Sequence, residues 1–246
     1  MNANKNTTIP ITDASTQKAP MTLLRKTSLA AGVLYLLTFV SIPTLALYSE
    51  VKSANYIIGS GPDTAAIIGG ILEVIVALAG IGTAVVLYPV LRKQNESAAL
   101  GLVSARILES ATIFVGVAFL LSIVTLRQNG AGPDALATSH ALAILYNRIF
   151  LLGQSFMPAL CDLLLGFMLY RSRLVPRGLS LIGIIGAVPL LASYFAVLFG
   201  IIGQHTSLAV LSAVGVALFE FSLGIYLVTK GFRPSPITAG MDNVPV

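Results

Sequence analysis

Residues 65–91, AAIIGGILEVIVALAGIGTAVVLYPVL, pass almost entirely through Ala, Ile, Val, Leu and Gly and carry one charged side chain, Glu73. A helix of about 20 mostly apolar residues, rising ~1.5 Å per residue, crosses the roughly 30 Å hydrocarbon layer of a bilayer. This stretch is long enough to do so. It also lacks the two-residue alternation of an outer-membrane barrel strand, so it reads as a transmembrane helix.

Five more runs of this kind lie between polar punctuation, approximately Leu29 to Tyr48, Leu100 to Leu126, Ala141 to Tyr170, Leu179 to Ile202 and Ser207 to Thr229. The expected fold class is therefore all-α, a polytopic transmembrane helical bundle of six spans. Composition points the same way. Of 246 residues 56% are apolar and 10% charged, against roughly 25% charged in a soluble domain. High hydrophobicity and a single cysteine exclude disorder and a disulfide scaffold, and a scattered net charge of +5 offers no nucleic-acid surface.

Orientation follows from the basic residues of short loops. Lys5, Lys18, Arg25, Lys26, Arg92, Lys93, Arg171, Arg173, Arg177, Lys230 and Arg233 fall on one side, and Lys52 and Arg127 on the other. Both termini are expected in the cytoplasm, as an even number of crossings requires, with the chain in the cell inner (plasma) membrane. The domain reading is a disordered cytoplasmic tail over 1–27, a six-helix transmembrane domain over 28–230 and a short cytoplasmic tail over 231–246. The first tail is rich in Thr, Asn and Ser; the second, with Pro234, Pro236 and Pro245, is too short and proline-broken to fold. The first apolar run is too long for a signal-peptide core and is expected to be retained. The likeness of Leu87–Arg92 to Leu169–Leu174 reads as two interfacial Tyr/Arg anchors rather than a duplicated half.

A charge at mid-membrane costs about 2.5–3.5 kcal/mol on insertion scales and persists only when partnered or hydrated. Six charges lie inside the spans: Glu73, Arg106, Glu109, Arg148, Asp162 and Glu220. The helical neighbours of Glu73 on its own face are Ala66, Gly69, Gly70, Ala77 and Gly80, and those of Glu220 are Ala213, Val216, Ala217 and Gly224. Both small faces permit close helix approach, so both acids are expected to point into the bundle. Arg148, Ser155 and Asp162 are seven apart and form one polar stripe, with Asn147, Gln154 and Cys161 beside it.

Counting along the helix axis from the nearer membrane end places Arg106 at ~9 Å, Asp162 at ~12 Å, and Glu109 and Glu220 at ~14 Å from the cytoplasmic side. These four are expected to form an inner cluster. Glu73 and Arg148, each ~10 Å from the opposite side, are expected to form an outer pair. One cation among three carboxyls implies that repulsion and desolvation keep at least one carboxyl protonated.

No H-E-x-x-H, C-x-x-C, G-x-S-x-G or Walker sequence occurs, and two His with one Cys do not make a zinc or haem site. No catalytic, metal-binding or cofactor-binding residue is therefore assigned, and enzymatic activity has no support. His140 and His205 read as solvated interface residues, and Cys161 as a small buried side chain. Pro158 and Pro189 are expected to kink the fourth and fifth spans.

The string Tyr88-Pro89-Val90-Leu91-Arg92, followed by Glu96, Ala99-Leu100, Arg106 and Glu109, resembles a bacterial family of multi-span membrane proteins, domain of unknown function 4386. So does Leu169-Tyr170-Arg171-Ser172-Arg173-Leu174-Val175-Pro176-Arg177-Gly178-Leu179-Ser180. The likeness runs from about Arg25 to Lys230. It implies a bacterial inner-membrane helical protein and supplies no ligand or catalytic residue.

The residues point first to a structural or partner-binding bundle with a buried polar cluster. Its partners would be the lipid bilayer and a second copy or another membrane protein, met through small-residue spacings such as Gly80 and Ala84. The alternative is a transporter of a small solute or proton, using the intramembrane carboxylates.

Overall fold

The structure, a computed structural model, describes residues 21–53, 55–239 and 241. Residues 1–20 of the expected N-terminal tail and 242–246 of the expected C-terminal one lie outside the described residues. The tail boundary expected at residue 27 moves inward. Helix α1 (Leu23–Leu37) already begins at Leu23, because Thr22 caps it by accepting a hydrogen bond from the Arg25 amide at 3.2 Å.

No strand occurs among the described residues, and six helical segments are long and apolar enough to cross a membrane: Leu23–Ser41, Thr64–Leu91, Glu96–Gln128, Gly132–Ser172, Arg177–Leu198 and Ser207–Thr229. The chain is an integral membrane protein. The first span is α1 extended by a tight turn to Ser41. It stops short of the expected Tyr48, since Pro43 has no amide hydrogen with which to continue the ladder. The short helix α2 (Thr44–Leu47) then leads Tyr48 back into the bundle, where it is 1% exposed.

The second and third spans are α3 (Thr64–Leu91) and α4 (Glu96–Gln128). The fourth is split into α5 (Leu136–Phe150), a wide π-helical turn over Leu151–Phe156, and α6 (Met157–Ser172). Pro158 accounts for the split. It offers no N–H to the carbonyl of Gln154, and its ring crowds that carbonyl, so the helix widens immediately before it. Pro189, by contrast, sits within an unbroken α7 (Arg177–Leu198). The sixth span comprises α8 (Ser207–Ser212) and α9 (Val214–Thr229).

Packing order makes the architecture. α1 packs on α3, α3 on α4, α4 on α5 and α6, α6 on α7, α7 on α9, and α9 on α1. The spans form a closed ring in which the last seals against the first. Arg25 makes that seal at one end: its guanidinium donates to the carbonyls of Leu227 (2.9 Å) and Val228 at the C-terminus of α9, where the helix dipole favours a cation. Higher up, Gly32 and Gly224 allow the two backbones to touch. The start of α1 and the end of α9 therefore lie together at one end of the ring, here the terminal end.

From Gly231 onward the described residues dock against the ring, with one helical turn at Pro236–Thr238. The Arg233 amide donates to Leu174 O at 2.7 Å and the Ser235 hydroxyl to Ser172 O at 2.6 Å. The segment's aliphatic contacts join a dense apolar core that fills the terminal half of the ring, including Leu87, Leu91, Leu102, Leu165, Met168 and Leu223. Outward-facing aliphatics such as Ile71, Leu78, Ile107, Ile185 and Leu218 make the lipid-facing belt. Gly80 and Ala84 are buried within the ring and are not part of that belt.

A Cβ built on Gly186 of α7 would stand 2.6 Å from the backbone of Gly215 in α9, a contact that nothing can relieve without moving a helix. Gly186→Val should lower stability by at least about 1–3 kcal/mol. Gly178→Ala, with open space around its Cβ, should be neutral or slightly stabilising. Thermal unfolding in detergent measures both; equal midpoints for the two variants would refute the close crossing.

Candidate functional site

Midway through the ring, Arg106 on α4 is 3% exposed. Its Nη1 donates to Glu109 Oε2 at 3.0 Å, one turn along the same helix, and its Nη2 to Glu220 Oε1 on α9. The guanidinium also lies over the Tyr35 ring of α1, 5.7 Å from its centroid. One cation thereby links the first, third and sixth spans. Cys161 Sγ on α6 donates to Glu109 Oε2 at 3.8 Å.

Asp162, next along α6, is 0% exposed, and neither carboxyl oxygen has a hydrogen-bond partner among the described residues. It lies within Coulombic range of Glu220, Arg106 and Glu109. Three of the four residues expected in the inner cluster are in contact, and the fourth adjoins them unbonded.

The expected outer pair does not form. Glu73 is 2% exposed and accepts a hydrogen bond from the Tyr146 hydroxyl at 3.1 Å. Arg148 is exposed and in no ion pair among the described residues. The wide turn at Leu151–Phe156 is the cause. It rotates α5 against α6, so the seven-residue stripe is broken and Tyr146 turns inward where Arg148 was expected. The nearest cation on this side is Lys52, whose Nζ lies 5.2 Å from the Tyr146 ring centroid.

Two cavities occupy the half of the ring away from the termini. The outer, of about 240 Å³, opens among the connecting segments and is lined by Tyr48, Lys52, Tyr146, Tyr194 and His205. The inner, of about 220 Å³, reaches Gly80, Arg106, Glu109, Pro158 and Glu220. Gln154, Leu190 and Ala213 border both. The flanking residues are thus divided. Gln154 stands between the cavities and Ser155 lines the outer one. Asn147 also lines the outer one, with its side-chain Oδ1 unpartnered and its backbone carbonyl accepting from Gln204 Nε2 at 3.0 Å.

Sequence reasoning missed Tyr48, Lys52, Tyr146 and Tyr194. Only an unusual inward run of tyrosines, which normally mark interfaces, would have signalled them. His205 does lie at an exposed rim, as expected of an interface residue, but that rim is the cavity mouth.

Lys52 and Tyr48 are carried by the segment between α2 and α3, and a polar clamp secures it. Tyr56 donates its hydroxyl to Asp63 Oδ1, Arg127 donates to the same oxygen, and Gln128 Nε2 donates to Oδ2 at 2.9 Å. Arg127 also covers the Tyr56 ring at 3.9 Å.

The family described as domain of unknown function (DUF4386) matches residues 30–231, so the chain belongs to that family. No curated protein and no solved structure matches it.

Burial acts to raise the Asp63 carboxyl, but the hydrogen bonds from Tyr56 and Gln128 and the charge of Arg127 outweigh it and hold the group below its ordinary range. A lowered carboxyl contributes stability above its unfolded value and loses it as pH falls through the folded one. Protection of residues 48–53 and 55–63 against hydrogen exchange, taken relative to the intrinsic amide rate at each pH, should therefore be high at neutral pH and fall as pH drops below about 4. Protection in Asp63→Asn equal to wild type at every pH would show that the clamp does nothing.

Arg106→Gln strands two buried carboxylates and should cost about 3–5 kcal/mol. Adding Glu220→Gln should recover part of that loss. A double variant no more stable than Arg106→Gln, by thermal unfolding in detergent, would contradict the pairing.

Proposed function

We propose that this member of the DUF4386 family is a carrier that admits a small solute to the interior of its helix ring. Support comes from one observation above all: the two cavities share Gln154, Leu190 and Ala213 as walls, and between them reach from the loop end of the ring to the buried charged group at its middle. A bundle whose charges served only to fix helix register would gain by closing that space, since dry packing adds dispersion contacts that a void forfeits.

Within this reading Arg106, Glu109 and Glu220 form the charged floor of the path. Asp162, fully buried and without a donor, is the carboxyl to which a proton-coupling role falls. The apolar layer of Leu87, Leu102, Leu165 and Leu223 closes the path toward the terminal end, so the state described is open on one side only. The wide turn that positions Gln154 is of a kind frequent at functional sites. Basic residues gathered at the terminal end favour a cytoplasmic location for it and an inner (plasma) membrane for the protein, which makes the cavity mouth extracytoplasmic.

A purely structural or partner-binding role has less to recommend it, because Gly80 and Ala84, the small pair suited to helix association, are enclosed in the ring. A second copy or another membrane protein would have to dock on the aliphatic belt.

Gln154→Cys, made in a Cys161→Ser background, tests the proposal. A membrane-impermeant thiol reagent should modify it from the loop side in right-side-out vesicles, and more slowly from the terminal side in inverted ones. Ala159→Cys, at a position with 0% exposure, should resist both. Protection of Gln154→Cys from both sides would leave a closed scaffold; modification from the loop side alone would leave a receptor rather than a carrier.

A further inference from the structure

Resting on that reading of the ring interior as a solute site, we propose that the outer cavity binds a small amphipathic carboxylate, with the acid group at Lys52 and the apolar body among the aromatic rings. Lys52 is the one formally charged side chain among the described residues lining this cavity. It is half-buried and in no ion pair among the described residues. Glu73, the acid within Coulombic range of it, is not on the cavity wall and is engaged by Tyr146. A cation so placed attracts an anion and repels a cation.

The surroundings define the rest of the ligand. Tyr48 and Tyr146 meet edge to face with centroids 5.6 Å apart, Phe150 lies 6.0 Å beyond Tyr146, and Tyr194 forms the facing wall. These rings offer apolar faces to a flat or chain-like body. The volume of about 240 Å³ is below the roughly 300 Å³ at which sites for drug-sized ligands begin. A single ring or a short acyl chain bearing one carboxylate is the size that suits it. The unpartnered Asn147 Oδ1 gives a second polar contact for a hydroxyl or a protonated acid.

Charge at the mouth is consistent with this. Burial pushes the Lys52 ammonium below the ordinary lysine range, against the opposing pull of Glu73. Burial and then Lys52 lower the His205 imidazole, leaving it neutral at pH 7 and free to donate one hydrogen bond.

The chemistry has two sources, a soluble aromatic acid and a lipid-derived fatty acid, and the probes separate them. The chain has no tryptophan, so Val210→Trp, at the exposed cavity rim, is a lone fluorescent reporter for the full chain in lipid nanodiscs. Titration would use 3-phenylpropionate and octanoate against 3-phenylpropylamine and octylamine. At least one acid should perturb the reporter saturably and neither amine should; the acid that binds more tightly names the source.

Lys52→Gln should weaken acid binding by at least about tenfold, the loss of one charge-assisted hydrogen bond, while Lys52→Arg retains it. Both variants should keep the wild-type thermal midpoint without ligand. Amines binding as well as acids, or acid binding indifferent to Lys52→Gln, would overturn the carboxylate assignment and leave the solute site standing. Silence from all four probes, with Gln154→Cys still modified from both sides, would overturn the assignment alone; silence with Gln154→Cys protected would remove the solute site as well.

Discussion

A guanidinium held in the middle of a membrane has to find its counter-charges within the protein, and the position of Arg106 depends on that necessity. Water is scarce at this depth, so the Coulombic attraction is strong and so is the cost of leaving either partner alone. Glu109 is supplied by the same helix one turn away, but Glu220 comes from the other side of the ring. The pairing therefore fixes the rotation of α4 and α9 together. Tyr35 beneath the guanidinium extends the constraint to α1.

The ring tolerates this arrangement because its perimeter is drawn tight where backbones meet. Gly32 against Gly224 and Gly186 against Gly215 bring α9 into backbone contact with both of its neighbours. Close approach at those crossings substitutes for the hydrophobic drive that soluble bundles have and lipid does not supply. The interior is then asymmetric. Leucines, Met168 and Phe219 fill the terminal half, while the other half retains space.

Much of this was legible in the residues, and the reasons differ from feature to feature. The six spans followed from hydrophobic run length, a signal that a bilayer makes nearly unambiguous. The inward turn of Glu73 was readable from the small residues at three- and four-residue spacing, and the meeting of Arg106, Glu109 and Glu220 from depth alone. The Glu73–Arg148 pair failed because depth counting assumes a regular helix, and Leu151–Phe156 is not regular. Pro158 was the clue, but a proline announces a disturbance without stating its form. The bend at Pro43 that returns Tyr48 and Lys52 to the interior was hidden for a related reason: an apolar run continues across it. Cavities leave no periodic trace in a sequence, since they are made by side chains from segments far apart in the chain.

A circle that closes on its final member has implications for how it is made. Glu220 emerges from the ribosome more than a hundred residues after Arg106, and the Leu227 and Val228 carbonyls that receive Arg25 come later still. Until the sixth span enters the bilayer, the guanidinium of the third span has Glu109 but not Glu220 as an ion-pair partner, and that of the first has no seat. Nascent chains halted before that point would be incomplete at both places, so closure of the ring waits for the sixth span.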